Sequence, residues 1–356
     1  AIADVAAGAL PTLNNAINAD ITTSGSNMNV QINAGTNGLG TINWADFNVG
    51  KDAAVNYEFT AHNQTALNKV DAAGGLSQIY GKITSSGCAG CGYDATGKVI
   101  LINPNGVLFG DGANVNLNSF TVSTMDGSYD TKNNQLNLDR NATSQYGIIV
   151  QKGAKIHGDK GVTFASDNVS LYNGSKITTN VAPNVDDASF GKVKIVTSDG
   201  VNFTYYQNGA VKEISGIKGS SEKMVVSANG EIHSGNIDIR NYSSNVDSEI
   251  NLNGAALKAT KAVTGNDGNI WLTASNKVVL ENADLDTVNF SDAAADRNTG
   301  NIRILAGNKA SITTSNLNSV GKVDITSQNG DAIVDKTTVV AGKDFNLTAG
   351  NIASVQ

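Results

Sequence analysis

The chain has 356 residues and a formal net charge of −7, with its charges scattered singly, so it offers no basic patch for nucleic acid or an anionic membrane surface. No apolar run approaches the ~18 residues of a membrane-spanning helix. With 38 glycines, three prolines (Pro11, Pro104, Pro183) and few aromatics, the composition suits many short strands between tight turns, an elongated all-β body rather than a helical one.

The opening Ala1-Ile2-Ala3 lacks the basic flank and apolar core of an export signal, so an exported form is expected to have lost its signal already. Residues 1–50 carry short β-type runs, Met28-Asn29-Val30-Gln31-Ile32 and Gly40-Thr41-Ile42-Asn43-Trp44. They are expected to cap the exposed end of a stack of strands, whose unpaired N–H and C=O groups otherwise invite other strands. Trp44 and Phe47 are the bulky residues available to plug that end.

The pattern loosens over residues 55–68 and strands resume at 77–84. Cys88 and Cys91 follow in a Gly-rich loop and admit three readings. A zinc site lacks two further ligands, and a redox pair lacks the helix that normally follows it. A disulfide closing a small surface loop is favoured, and so short a loop adds little stability.

Residues 98–112, KVILINPNGVLFGDG, are the most specified stretch. Val99 and Leu101 face one way and Ile100 and Ile102 the other, leading into Asn103-Pro104-Asn105-Gly106 and out through Val107-Leu108-Phe109. Pro104 presets the second position of a type I or II turn, Asn103 can bond its own backbone two residues on, and Asn105-Gly106 tolerate left-handed backbone. Two more strands follow at 113–117 and 120–123, then a polar stretch at 126–144 that reads as an excursion from the main body.

Five ordered blocks carry a family resemblance: Ile42-Asn43-Trp44-Ala45-Asp46-Phe47-Asn48-Val49-Gly50, Ala66-Leu67-Asn68-Lys69-Val70, Ser77-Gln78-Ile79-Tyr80-Gly81-Lys82-Ile83, residues 97–110, and Asn118-Ser119-Phe120-Thr121-Val122-Ser123-Thr124. Their order resembles the two-partner secretion (TPS) domain, of the haemagglutination activity domain family. This is the N-terminal module of filamentous haemagglutinin-like and high-molecular-weight adhesin-like exoproteins of Gram-negative bacteria. The family usually has Arg where Lys69 stands, and residues 87–93 look like an insertion.

The resemblance implies a secreted or cell-surface protein that passes through the periplasm. There the POTRA domains of an outer-membrane barrel transporter of the TpsB/Omp85 type engage the chain, and β-helix folding outside the cell is templated by this domain. It also implies a secretion motif at Asn103, Pro104, Asn105 and Gly106, with Asn68 as a secondary candidate. A monomer is expected, with host surfaces or glycans met only through downstream regions. A haemolysin or a contact-dependent toxin-delivery exoprotein with the same domain is the alternative.

Beyond Tyr146 a repeat appears. Glycine followed by alternating apolar residues recurs at Gly191 (Val193, Ile195), Gly235 (Ile237, Ile239), Gly268 (Ile270, Leu272), Gly300 (Ile302, Ile304), Gly321 (Val323, Ile325) and Gly342 (Phe345, Leu347). The last three glycines are 21 residues apart, the spacing of a right-handed parallel β-helix. Asn236, Asn269 and Asn301 are expected to form hydrogen-bond ladders between rungs. Residues 201–214 read as an antiparallel hairpin with a type I′ turn at Asn208-Gly209. The expected organisation is a cap at 1–50, first rungs with the corner and loop excursions at 51–145, and regular rungs at 146–356. Further rungs are expected beyond Gln356.

No catalytic, cofactor-binding or metal-binding set emerges. His62, His157 and His233 lie far apart, each without a motif, and no serine sits in a nucleophile elbow. A β-helix polysaccharide-active enzyme needs paired carboxylates on neighbouring rungs. Asp238, Glu281 and Asp324 are the nearest to register, and they alternate with Arg240, Arg303 and Lys322 as on a solvated face.

Overall fold

A computed structural model describes residues 2–35, 37–87, 97–181, 191–261, 268–289 and 299–356. Cys88 and Cys91 lie outside the described residues. The chain forms two compact units, Ala1–Ser166 with Gly200–Gly216 and Asp167–Asp199 with Ile217–Gln356. The fold is all-β, its sheets mostly parallel and wound as a β-helix.

In the first unit each turn of chain lays down strands on three faces. Asn27–Ile32, Ala54–Phe59 and Lys82–Gly87 stack in parallel on one face. Leu39–Asp46, Thr65–Val70 and Lys98–Ile102 stack on the next, and Ser77–Ile79, Val107–Phe109 and Ile148–Val150 on the third. Asn114–Ser123 serves two faces, pairing first with Lys82–Gly87 and then with Lys98–Ile102. At the start of the chain, Thr12–Ile17 and Ala19–Ser24 pair antiparallel with Leu39–Asp46 and Asn27–Ile32.

The stretch at 126–144 is more ordered than an excursion. Asp126–Asp130 and Gln135–Asp139 form an antiparallel pair that continues through Gly200–Tyr205 to Val211–Lys218. Leu136 and Leu138 are buried, which supplies the apolar face the sheet needs. The expected hairpin is present with a different turn. Gly209 is left-handed (φ 99°) and Asn208 is not. Gly209 N donates to Tyr206 O at 3.0 Å and Tyr206 N to Ala210 O at 2.8 Å. A type I′ turn needs positive φ at both central residues, so the loop is a three-residue connection with the glycine in the bulge.

In the second unit the glycine-led segments become six stacked strands: Lys192–Thr197, Asn236–Asn241, Ile270–Ala274, Ile302–Ala306, Val323–Ser327 and Phe345–Ala349. The alternating residues of the first five, including Ile304 and Ile325, point inward and are fully buried. Phe345, on the last described strand of this stack, is 40 % exposed. The asparagine ladder takes another form than expected. Asn301 N donates to Asn269 Oδ1 at 2.8 Å and Lys322 N to Asn301 Oδ1 at 2.7 Å, so the side chains tie rung to rung through backbone amides. A side-chain pair does form elsewhere, Asn308 Nδ2 to Asn276 Oδ1 at 2.9 Å.

Asp238 departs from the expected solvated face. Its carboxylate is buried, receives Arg240 Nε and Nη2 at 3.1 and 2.9 Å, and lies 3.5 Å from Lys194 Nζ. Burial acts to raise its pKa, and the Lys194 charge with the Arg240 hydrogen bonds outweighs that and holds it below the ordinary value. Register explains the burial, since Lys194 and Trp271 occupy the same column on the rungs either side. Asp324 follows in that column after Trp271 and Arg303, three rung steps or ~14 Å away. Glu281 lies on another sheet. These carboxylates are not gathered at the ~5–9.5 Å that flanks a glycosidic bond.

Candidate functional site

The corner at Asn103–Gly106 sits in the first unit, between the strands Lys98–Ile102 and Val107–Phe109. Gly106 N donates to Asn103 O at 3.2 Å, closing the turn. Among these four residues only Gly106 has positive φ (125°), so the type II form, which needs it at Asn105, is excluded. A Cβ at Gly106 would stand 2.7 Å from Gly147 O, so glycine is required there for space as well as for backbone.

Asn103 is fully buried and its side chain makes three hydrogen bonds, using both N–H groups and the oxygen. Its Oδ1 accepts from Asn105 N at 2.9 Å, the local bond expected of an Asx turn. Its Nδ2 donates to Gly75 O at 2.9 Å and to Ser77 Oγ at 2.8 Å. Asn105, half-buried, donates from Nδ2 to Ala72 O at 2.7 Å. The two asparagines therefore clamp the short 3₁₀ turn Ala72–Gly74 and its exit against the corner. Pro104 is the exposed residue of the four.

Asn68 is a second buried junction. Its Oδ1 accepts from Trp44 Nε1 at 3.0 Å and from Tyr57 Oη at 2.8 Å, and its Nδ2 donates to Ile100 O at 3.0 Å and Ala66 O at 3.2 Å. Burial pushes the Tyr57 phenol well above its ordinary pKa, only partly offset by the Asn68 bond, so it stays a donor at any ordinary pH. Trp44 and Phe47 are both buried and meet edge to face at 5.5 Å. Asn68 thus links three successive rungs.

These contacts join all five sequence blocks. Trp44 of the first bonds Asn68 of the second, Asn68 bonds Ile100 of the fourth, and Asn103 of the fourth bonds Ser77 of the third. Asn103 N donates to Ser123 O of the fifth at 3.0 Å. Residues scattered over about 80 positions form one connected network around the corner.

The TPS secretion domain family fits residues 4–272, about three quarters of the chain. The chain belongs to that family. TPS domains are parts of secreted exoproteins and work with a partner transporter in the outer membrane. Relatives in sequence include two heme/hemopexin-binding proteins of Haemophilus influenzae. One is 29 % identical over 222 residues (62 % of this chain and 22 % of the relative) and the other 28 % identical over 247 residues (66 % and 25 %). The chain thus spans about a quarter or less of the length of the curated relatives it matches. In structure the TPS domain resembles the HMW1 secretion domain from Haemophilus influenzae (TM-score 0.57, 17 % identity, 94 % of this chain and 100 % of that one). It also resembles the filamentous hemagglutinin secretion domain (TM-score 0.54, 14 %, 97 % and 100 %). At these identities the likeness is one of fold.

Two features of this TPS domain escape sequence reasoning. Lys98, first residue of the corner strand, is buried with its ammonium 3.0 Å from Asn63 Oδ1 and 5.7 Å from the ring centres of both Tyr129 and Tyr205. Burial pushes it down to about 7. The only local signal is a lysine in a strand otherwise apolar at every position. The second is a cavity of about 370 Å³ beside Pro104, lined also by Lys69, Val70, Ala72, Ile102 and Met125.

Proposed function

We propose that this TPS domain is the secretion-recognition module of a large exported adhesin. POTRA domains of an outer-membrane barrel transporter engage it in the periplasm, and its rungs template β-helix folding once outside. Asn103, Pro104, Asn105 and Gly106 form the primary secretion motif, and Asn68 a secondary one. The observation that carries this reading is the hydrogen-bond network joining the five family blocks at the corner. A network so placed makes the corner both a folding nucleus for the first rungs and the feature that marks the chain for export. Stacked rungs outside the cell also supply a free-energy drop that opposes return, because each added rung buries its inward residues against the last.

The test is export itself. Produced with its own transporter, the domain should appear in the medium; without the transporter it should stay in the periplasm. Equal release in both strains would contradict the proposal.

For the whole protein a second reading rests on the sequence relatives, both described as heme/hemopexin-binding. In that reading the longer exoprotein captures haem or its carrier rather than adhering to cells. Titration of the full-length protein and of this domain alone with haem and with hemopexin decides it: saturable binding of either by the full-length protein supports capture, and binding of neither supports adhesion.

A further inference from the structure

The outward face of the corner strand is roofed over, and its roof comes from two distant parts of the chain. Thr121 stands in register beside Ile100, and its Oγ1 lies 2.6 Å from Tyr205 Oη. A Cβ on Gly127 would sit 2.7 Å from Ile102 Cδ1, and one on Gly209 would sit 3.6 Å from Lys98 Cγ. The four-stranded sheet thus covers Lys98, Ile100 and Ile102, all of them buried.

Half of that roof, Asp126–Asp130 and Gln135–Asp139, follows the corner directly in the chain. The other half is the hairpin at 200–216, which belongs to the first unit although residues 167–199 of the second unit intervene. It is tied back by Asn118 Nδ2 to Asn208 O at 2.8 Å, Asn134 Nδ2 to Tyr205 O at 3.0 Å and Gln135 Nε2 to Thr204 Oγ1 at 3.1 Å. Val201, Phe203 and Tyr205 are buried in the process. These ties span 69 to 90 residues, against 24 and 32 for the bonds of Asn68 to neighbouring rungs.

Lys98 lies where the two halves meet, its ammonium 5.7 Å from the ring centre of Tyr129 in one and of Tyr205 in the other. Lys98–Ile102 pairs with Thr65–Val70 on one side and Asn114–Ser123 on the other, and neither pairing uses a bond from the hairpin. Until the hairpin closes, Lys98 keeps water on one side. The longer loop adds little to the cost of closing. Taking the lysine nitrogen out of water adds more.

We propose that the hairpin at 200–216 is a strap that closes over Lys98 after the first rungs have stacked, and that its closure outside the cell latches the first unit against return through the transporter. The latching rests on the export reading above. Whichever end of the chain emerges first, the strap can reach residues 98–123 only when everything between them has crossed as well. A chain drawn back must then break the strap's bonds and expose Val201, Phe203 and Tyr205 to water.

The test follows Lys98 itself. As the full chain refolds from urea, pulses of acetic anhydride and of deuterium exchange should find Lys98 still acetylated when the amides of Lys98–Ile102 are already protected. Protection of both together overturns the strap. In the folded protein, Gly209→Val puts a β-branched residue at φ 99° and a Cβ 2.8 Å from Asn118 Nδ2. It should speed acetylation of Lys98 at least tenfold, while exposed Lys309 of the second unit is unchanged and the Thr65–Val70 amides stay protected. Unchanged labelling of Lys98, or loss of that protection, overturns the proposal. In cells with the transporter, Gly209→Val should be released at least tenfold more slowly, and release at the native rate overturns the latch. Refolding and labelling need no transporter, so failure there leaves the export reading standing. Release of the native domain without the transporter would instead fell that reading and the latch together, with late closure over Lys98 still decided by the refolding pulses.

Discussion

The side-chain amide of Asn103 donates to the carbonyl of Gly75 at 2.9 Å, across 28 residues of chain. With the bonds to Ser77 Oγ and from Asn105 N, it makes Asn103 a buried tie between two rungs. Removing it leaves Ser77 Oγ without its buried partner and Gly75 O and Asn105 N without part-buried ones, each costing on the order of 1 kcal/mol. Asn103→Ala is therefore expected to lose about 3 kcal/mol in urea melts. Asn105→Ala gives up one exposed bond and should lose about 1 kcal/mol or less. Equal losses would contradict the difference in burial.

Asn68 should be the more sensitive site. Asn68→Leu leaves Trp44 Nε1 and Tyr57 Oη as buried donors without their acceptor and strands Ile100 O. A loss of about 3–5 kcal/mol is expected, followed by tryptophan fluorescence in denaturant. Trp44→Phe with Asn68→Leu should cost less than the two separate losses added together, because the pair share one bond.

The stack in the second unit makes a simpler prediction. Ile304 and Ile325 are fully buried and in register, so Ile304→Asp or Ile325→Asp buries an unpaired charge and should cost several kcal/mol. Asp324→Ala gives up only an exposed bond from Asn346 Nδ2 and should stay within about 0.5 kcal/mol. Arg303→Ala should cost somewhat more, about 1 kcal/mol, since its guanidinium lies 4.5 Å over the Trp271 ring. Chemical melts of the four variants check the order.

Lys98 makes stability depend on pH. Its folded pKa of about 7 lies below the ordinary 10.5, so between those values the unfolded chain holds a proton that the folded chain lacks. The stability due to the neutral amine is fully present above about pH 10.5 and is lost as pH falls to about 7. The faces of Tyr129 and Tyr205 favour the ammonium, by on the order of 1 kcal/mol each, and soften the slope without reversing it. Denaturation midpoints should therefore rise between pH 7 and pH 9, and Lys98→Met should flatten that rise. A rise of the same size in the variant would assign it to other groups.

The regular rungs were legible because each glycine-led segment repeats one local pattern, and stacking turns that alternation directly into buried columns such as Ile237, Ile270, Ile302 and Val323. The corner was legible for the same reason, since the Asn103 to Asn105 bond spans two residues. What sequence hid was register. The Trp44 to Asn68 and Asn103 to Gly75 bonds cross 24 and 28 residues, through loops of unequal length that conceal which positions stack. The hairpin at 126–139 was masked by its polar outer face, which leaves Leu136 and Leu138 as its clearest apolar signal. Asp238 looked solvated because alternation places it outward, and only the neighbouring rungs supply the Lys194 and Trp271 that bury it.

The most direct test of the corner as an export signal compares secretion and folding in one variant, Asn105→Ala, whose expected stability loss is small. Released protein is quantified in the medium of cells carrying the transporter, and the same variant is refolded in vitro and melted in urea. The prediction is a sharp drop in secretion, tenfold or more, with a β-rich spectrum and about 1 kcal/mol of stability lost. Secretion at the native level from that folded variant would contradict a recognition role for the corner and leave it a purely architectural turn.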